Sequence, residues 1–469
     1  MRGYRWAILL LALLSAGLLT GASLAILDTA DQVTIQCEVL AGTPEAADGV
    51  ELTLPLSCGN QMFWTTTFPA GRPEEAETDF TSTLSQDPRT KPWAGQPLSV
   101  EVADVYYWGG TPDNPHALLD SLIQQAQETT PEGTEATVSF RIRDYFDTWP
   151  LRVTSDLPGI QYDLWGNSNL QQLFQDYFAI PVSSDATFTV TVQGSGASYD
   201  TGCIPKLKSY AAPCGDTILF VLTNIASVTV KDEVGNFQQT ELALDGSAIP
   251  GDWGLYRYTP GPEDTLGTLE TLWSLPEGAD ILDFWGTEDE ADFFLLTREE
   301  GQLRLRVFDG EGNLRQTMDL LPFSVEESYM QTYKGDGFLV PMIYGPRAEG
   351  YCYHFAVLHK AGGTWQTAFT GDDRKAAQLG CGGFTWTDDT YSCLAMAWDG
   401  ERLAVWDSEL RNGSLFHLAV YSRDGLDYLA TYQNSVSQAS DNSAGPVYYA
   451  FTQLFWLETP QVRWAKTGS

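Results

Sequence analysis

Basic side chains are scarce in this sequence. Its 469 residues include 26 Lys and Arg against 62 Asp and Glu, which gives a formal net charge of −36. Such an excess of negative charge repels nucleic acid and anionic lipid, so we expect no nucleic-acid partner. The acids are scattered rather than grouped in runs, which is typical of a solvated exterior. A surface that collects cations is the alternative.

Residues and motifs that carry metal or nucleophile chemistry are also few. Only four His occur, and the sequence has no HExxH, CxxC, GxSxG, P-loop or dinucleotide-binding fingerprint. A stretch that starts at Asp309 begins like a calcium loop, but Leu314 and Leu320 stand where the loop requires Gly and Glu, which favours an ordinary hairpin turn. We therefore assign no catalytic residue, no cofactor-binding residue, no metal ligand and no cofactor.

A long uncharged segment lies near the amino terminus. Residues 6–27 read WAILLLALLSAGLLTGASLAIL, and as a helix they would span roughly 30 Å, the thickness of the hydrocarbon core of a bilayer. Two Arg precede this run and acidic residues follow it, which predicts an N-terminus inside and the remainder outside. The alternative is a cleaved signal peptide, since the strongly apolar part ends near Leu19 and SLA at 23–25 is a small-x-small site.

Both readings of this segment export the chain. We expect a membrane-anchored protein with its bulk outside the cytoplasm, or a secreted protein if the segment is removed. Seven Cys are then in an oxidising environment. Cys203 and Cys214 flank the Pro-bounded loop CIPKLKSYAAPC, so we predict a disulfide between them. Proximity alone suggests two weaker pairs, because connectivity cannot be read from sequence: Cys37 with Cys58, and Cys381 with Cys393.

The first exported region, about residues 28–265, has the pattern of an antiparallel β domain with one or two helices. The following segments alternate as strands do: 33–40, 50–56, 61–68, 98–108, 136–143, 149–154, 187–192, 217–222 and 227–231. HALLDSLIQQAQ at 116–127 has apolar residues at helical spacing, and 168–178 predicts a second short helix.

A faint internal repeat organises the second region, residues 270–469. The segments VFDGEG, VLHKAG and VYSRDG each place Gly five residues after Val, at Gly312, Gly362 and Gly425. Apolar-alternating stretches flank each segment, so we interpret all three as hairpins in which Gly supplies the positive φ of the turn. In the last two units an Asp-Gly pair lies upstream, with its Asp 26 residues before the turn Gly.

This pattern resembles the blades of irregular β-propeller-like repeat proteins. The chain also resembles a group of signal-anchored extracytoplasmic bacterial proteins with propeller-like second halves and no assigned function. The resemblance covers the anchor and roughly the second half, and it brings no catalytic residues. Together with the segments described above, it predicts a mainly β chain: an N-terminal transmembrane or signal helix (1–27), a β-rich exported domain with minor helices (28–265) and propeller-like repeats (270–469). Three or four units are too few to close a ring, so either the first region contributes blades or the array is open.

The function expected from these features is binding or scaffolding. The leading hypothesis is a membrane-tethered extracytoplasmic protein whose propeller-like half binds a protein or glycan at the cell envelope, with the N-terminal helix in the membrane. One alternative is a carbohydrate-active hydrolase or lyase that uses an Asp/Glu pair which the sequence does not identify. Another is an accessory or sensor subunit of an envelope signalling system.

Overall fold

The computed structural model is mainly antiparallel β-sheet, with a few helices. It describes residues 2–30, 33–58, 62–83, 97–105, 116–131, 133–155, 168–193, 196–200, 204–231, 237–261, 267–323, 329–347, 350–381, 392–409, 415–435 and 461–465. Two units divide the chain: unit 1 comprises Met1–Trp93 and Ser324–Ser469, and unit 2 comprises Ala94–Phe323. The predicted domain border at 265–270 came from the sequence repeat and stays a prediction.

The described helices and strands are numbered in chain order. The helices are α1 (Arg2–Ala30), α2 (Ala117–Thr129), α3 (Ser168–Tyr177) and α4 (Arg374–Gln378). The strands of unit 1 are β1 (Ile35–Gly42), β2 (Val50–Cys58), β3 (Met62–Pro69), β4 (Glu77–Ser82), β20 (Tyr329–Gly335), β21 (Phe338–Arg347), β22 (Gly350–Ala361), β23 (Thr364–Asp372), β24 (Ser392–Trp398), β25 (Leu403–Glu409), β26 (Leu415–Ser422), β27 (Gly425–Asn434) and β28 (Gln461–Trp464). The strands of unit 2 are β5 (Leu98–Val102), β6 (Glu135–Arg141), β7 (Leu151–Ser155), β8 (Thr187–Gln193), β9 (Gly196–Asp200), β10 (Ser209–Cys214), β11 (Thr217–Leu222), β12 (Ile225–Lys231), β13 (Phe237–Ala243), β14 (Gly254–Thr259), β15 (Thr268–Ser274), β16 (Asp280–Gly286), β17 (Phe293–Glu299), β18 (Gln302–Phe308) and β19 (Leu314–Pro322).

Three sheets make up the described part of unit 1. Their strand orders are β28-β2-β3-β4, β1-β27-β26-β25-β24 and β20-β21-β22-β23. Strands from distant parts of the chain join two of them: β1 pairs antiparallel with β27, and β28 pairs antiparallel with β2. The segment that follows α1 is therefore built into the sheet of β24–β27, and β28 is built into the sheet that contains β2.

The sheet of β24–β27 is buried on both faces. Trp406 and Leu418 lie in a core shared with β2 and β3, whereas Val405 and Ala419 lie in a second core shared with β20–β23. Because successive side chains of a strand point to opposite faces, this double burial explains the nearly continuous apolar runs LAVW and FHLAVY.

Unit 2 has two four-stranded sheets, β10-β11-β14-β15 and β16-β17-β18-β19. Leu219 and Val221 of the first sheet share a core with Phe293 and Leu295 of the second. A larger core holds α2 and α3 against β5–β8 and the first sheet, with Phe174 and Phe220 completely buried in it. Helices α2 and α3 confirm the two helices predicted at 116–127 and 168–178.

The three predicted hairpins are confirmed. Gly312, Gly362 and Gly425 adopt positive φ values of 80°, 58° and 110°, and each lies between the third and fourth strands of a four-stranded meander. The apolar residues expected to share a buried face before the first turn are buried, at 0% exposure for Leu303 and 2% for Val307. We call the end of each sheet that carries these turns its hairpin end.

A further meander lies in the region predicted as a separate domain. Strands β10, β11, β14 and β15 form it, and the hairpin β12–β13 is inserted between its second and third strands. Its own turns carry Gly215 and Gly267, both with positive φ. Strand β14 lies in the first predicted region, and it pairs antiparallel with β15, which begins at Thr268.

Helix α1 extends over the uncharged segment singled out in the sequence. Its described large apolar side chains are exposed, for example Trp6 at 76% and Leu18 at 74%. In the described part of the chain, no helix combines the length and the apolarity that crossing a membrane requires.

Candidate functional site

Asp309 shapes the hairpin turn that contains Gly312. Its Oδ1 accepts hydrogen bonds from the backbone N–H groups of Glu311 and Asn313 at 3.0 and 2.9 Å, and Arg315 Nε donates to its Oδ2 at 3.4 Å. Burial opposes ionisation of Asp309, but these hydrogen bonds and Arg315 outweigh it and lower the pKa of the carboxyl. Its carboxylate is thus committed to its own turn, which is the geometry of a hairpin and not of a calcium loop.

In unit 2 the hairpin ends of neighbouring sheets are joined through polar contacts. Arg257 Nη2 donates to Gly310 O at 2.9 Å, and Cys214 Sγ donates to the same carbonyl at 3.4 Å. The backbone N–H of Gly215 donates to Glu290 Oε2 at 2.6 Å. The turns of the two sheets therefore form one continuous rim, which displays several carboxylates to solvent.

In unit 1 a buried aspartate lies at the opposite end of β23 from the Gly362 turn. Asp373 is 2% exposed and directly precedes α4. Its Oδ1 accepts a hydrogen bond from Tyr353 N at 2.8 Å, and its own N–H donates to Tyr353 O at 3.1 Å. Burial raises the pKa of Asp373 to about 6, and the neighbouring charge of Asp372 adds to the rise.

The side chains around Asp373 are also titratable. Cys352 Sγ lies 3.4 Å from His354 Nε2 on β22. Burial raises the pKa of Cys352, and the charges of Asp373 and Asp372 raise it further. A hydrogen bond from Arg374 and its charge oppose this rise. A raised pKa disfavours the thiolate, which is the form that a nucleophilic cysteine needs.

A second buried charge cluster crosses β17 and β18 in unit 2. Glu299 is 5% exposed and Arg306 is 4% exposed. Arg306 donates to both carboxylate oxygens of Glu299, with Nη2 to Oε2 at 2.9 Å, and Thr297 Oγ1 donates to Oε1 at 2.7 Å. The guanidinium of Arg306 also lies over the ring of Trp273 on β15, 5.0 Å from its centroid.

These contacts favour the ionised form of Glu299. Burial opposes its ionisation, but the hydrogen bonds from Arg306 and Thr297 and the charge of Arg306 lower its pKa. Glu299 and Asp373 are both buried, at 5% and 2% exposure. A hydrolase acting on a cell-surface polymer needs its carboxyls at a surface groove, so these two acids act within the fold.

Gln331 on β20 is a buried polar side chain whose contribution to stability can be tested by substitution. It is 7% exposed, and neither its Nε2 nor its Oε1 has a hydrogen-bond partner among the described residues. We expect Gln331→Met to raise the free energy of unfolding by about 1–3 kcal/mol in urea denaturation, because it removes an unsatisfied amide. Gln366→Met, at an exposed position of β23, is the control and should change stability little. A loss of stability in Gln331→Met would instead reveal a partner for the amide.

None of the predicted disulfides is seen in the described residues. Cys37, Cys214 and Cys381 form no disulfide with another cysteine of the described residues. Cys203 and the side chains of Cys58 and Cys393 lie outside the described residues, so all three pairings stay predictions. The described residues also contain no group of three or more His, Cys, Asp or Glu arranged to hold a metal ion.

The comparisons with known proteins show only a weak structural resemblance. No family model matches the chain, and no curated protein matches it. TolB from Acinetobacter baumannii aligns with 82% of this chain and 79% of its own at 10% identity and a TM-score of 0.23. A putative 6-phosphogluconolactonase from Bacteroides uniformis aligns over 81% and 95% at 11% identity and a TM-score of 0.26. The β-propeller domain of the Trilobed protease from Pyrococcus furiosus aligns over 46% and 70% at 13% identity and a TM-score of 0.20.

Sequence reasoning missed both buried charge clusters. A signal for the Glu299–Arg306 cluster was present in TREEGQLRLRVF, where several charged residues alternate with apolar ones across a single hairpin of a chain that has few basic residues. A signal for the Asp373 cluster was the DDR triplet at 372–374, directly after an apolar-alternating strand. Neither signal reveals burial, because the sheets that cover these residues come from other parts of the chain.

Proposed function

We propose that this protein is a membrane-tethered extracytoplasmic binding or scaffold protein. In this proposal α1 is the anchor, and the propeller-like meanders carry the surface that binds a protein or glycan at the cell envelope. The supporting features are the exposed apolar helix, the charge of the surface and the position of the turns.

The observation that supports membrane anchoring is the exposure of the apolar side chains of α1. Nine of its large apolar residues are between 57% and 76% exposed: Trp6, Ile8, Leu10, Leu11, Leu13, Leu14, Leu18, Leu19 and Leu24. Contiguous apolar surface of this extent marks an interaction site, and each such side chain gains about 1.5–3 kcal/mol when it leaves water. Lipid is the covering that the uncharged sequence and its basic N-terminal flank favour.

Helix α1 is coupled closely to the folded sheets. Only the four residues at positions 31–34 separate the end of α1 from β1. Strand β1 in turn pairs with β27 through seven residue pairs. An anchor in α1 would therefore hold the sheet of β24–β27 directly, with no long linker between them. That arrangement suits a scaffold, because the membrane and the meanders keep a short separation.

The binding surface in this proposal is formed by the turns between strands. Turns on a rigid sheet framework are the usual location of binding residues. The formal charge of −36 favours a partner that presents basic groups, since opposite charge accelerates encounter. A protein with a basic face satisfies this condition better than a neutral glycan.

Membrane fractionation tests the proposal. We expect the full-length chain to sediment with membranes after a high-salt wash. A variant that lacks residues 2–30 should remain in the soluble fraction. Leu10→Asp with Leu14→Asp should shift the protein from the membrane to the soluble fraction, because charges near a helix centre oppose insertion. Leu10→Ala with Leu14→Ala is the matched control and should stay with the membrane. Release of the full-length protein by salt would contradict membrane anchoring. So would a mature chain in the medium that lacks residues 1–25.

A further inference from the structure

Asp373 links the segment that carries α4 to β22, and Ala376 and Cys381 of that segment share a core with Tyr353 of β22. Asp373 makes two hydrogen bonds with the backbone of Tyr353, one through its carboxylate at 2.8 Å and one through its N–H at 3.1 Å. The amide of Ala377 then donates to Asp373 O at 3.0 Å. Asp373 therefore connects the end of β23, the first turn of α4 and the first part of β22.

The surroundings of this side chain are largely apolar, and its charged neighbours include the acid Asp372 and the base Arg374. The charged or titratable groups that face Asp373 or its immediate neighbours come from every element packed around it: Asp372, Arg374, Cys352, Cys381, Asp407 and Tyr421. His354 is opposite Asp372 in the β22–β23 register. A carboxylate buried beside other acids is unfavourable, and it becomes hydrated only if the segment moves.

We propose that Asp373 is a proton-controlled latch, which holds segment 373–381 against β22 when its carboxyl is protonated and loosens that segment when the proton is lost. This inference goes beyond the proposed function, since it concerns the segment itself and holds wherever the protein resides. It gives the sheet of β20–β23 a tighter state in acid and a looser state at neutral pH.

The direction of the pH dependence follows from the two states of the carboxyl. In the closed segment the pKa of Asp373 is raised from 3.8 to about 6, whereas in the open segment it returns toward its ordinary value. The closed state binds the proton more tightly, so its advantage is complete in acid, falls as pH rises through this window and levels off above it. The opening constant should increase on the order of 30-fold between pH 4.5 and 7.5.

Hydrogen exchange of the full chain measures this opening. Exchange rates of amides in 373–381 are corrected for intrinsic chemistry and compared at pH 4.5 and 7.5. In the wild type we expect protection to fall on the order of 30-fold from pH 4.5 to pH 7.5. Asp373→Asn keeps the Oδ1 acceptor and removes the charge, so we expect no such fall in that variant. Asp424→Asn, in an exposed turn of the same unit, should keep the wild-type response.

Two further variants keep the proposal testable if Asp373→Asn does not fold. Asp372→Asn removes the neighbouring negative charge and should reduce the pH response. His354→Gln removes a group that also changes charge between pH 5 and 8 and should leave the response in place. Protection that is independent of pH in the wild type, or a response that disappears in His354→Gln and persists in Asp373→Asn, would overturn the latch.

Discussion

Replacing Glu299 by Leu alone should lower the free energy of unfolding by about 3–5 kcal/mol, because it leaves the Arg306 guanidinium buried without its carboxylate. Arg306 is 4% exposed and donates to both oxygens of Glu299. The remaining contact with Trp273 and the hydrogen bond to Thr297 do not neutralise its charge. Urea denaturation at pH 7, followed by far-UV circular dichroism, measures the change.

The matched controls separate a buried ion pair from a surface one. Glu311→Leu changes a side chain that is 81% exposed and pairs with Arg257 at 3.4 Å, so it should change stability by less than about 1 kcal/mol. The double variant Glu299→Leu with Arg306→Met removes both buried charges and should recover most of the loss, since an apolar pair can replace a buried ion pair. A double variant as unstable as the single one would show that the charges themselves are required.

Replacing Gly312 by Ala should destabilise the protein more than the same change at Gly362. A Cβ at Gly312 would lie 2.5 Å from Leu272 Cδ1 and 2.8 Å from Leu272 Cβ, and the residue has φ of +80°. Gly362 has φ of +58° but no heavy atom within 4 Å of the added Cβ. Left-handed backbone costs about 1–2 kcal/mol in either variant, and crowding against Leu272 adds about 1–3 kcal/mol at Gly312 alone.

Thermal and urea unfolding of the two variants provide the comparison. Gly362→Asn is a useful third variant, because Asn tolerates the left-handed region better than Ala and should lose less stability than Gly362→Ala. Equal losses in Gly312→Ala and Gly362→Ala would mean that the Gly312 turn does not pack against β15.

The turns could be predicted from sequence because their chemistry is local. Gly312, Gly362 and Gly425 each supply a positive φ that other residues adopt with strain, and the alternating stretches on either side identify the strands they join. The same reasoning located α2 and α3, since apolar spacing within a dozen residues is sufficient to define a helix face.

The remaining architecture could not be predicted because it depends on distant residues. The meander of β10, β11, β14 and β15 was hidden by the β12–β13 insertion, which separates its second and third strands. Pairing of β28 with β2 joins Trp464 to Val50 across almost the whole chain. No local pattern in a four-residue strand specifies such a partner.

The buried charges were missed for a related reason. Glu299, Arg306 and Asp373 have the composition of surface residues, and a strand pattern predicts that charged positions face solvent. Their burial is caused by neighbouring sheets and by contacts with Trp273 and Tyr353, which lie elsewhere in the sequence. Disulfide pairing has the same limitation, because spacing does not establish which thiols meet.

The proposal that the meanders are exported is tested most directly by labelling one exposed turn in intact cells. Glu401 lies at the surface of the β24–β25 turn, and its side chain is not used in the turn, which is held by hydrogen bonds to Asp399. We predict that Glu401→Cys reacts with a membrane-impermeant maleimide in intact cells as completely as after lysis, with the modified peptide identified by mass spectrometry. Labelling at position 401 that occurs only after lysis would contradict an extracytoplasmic array.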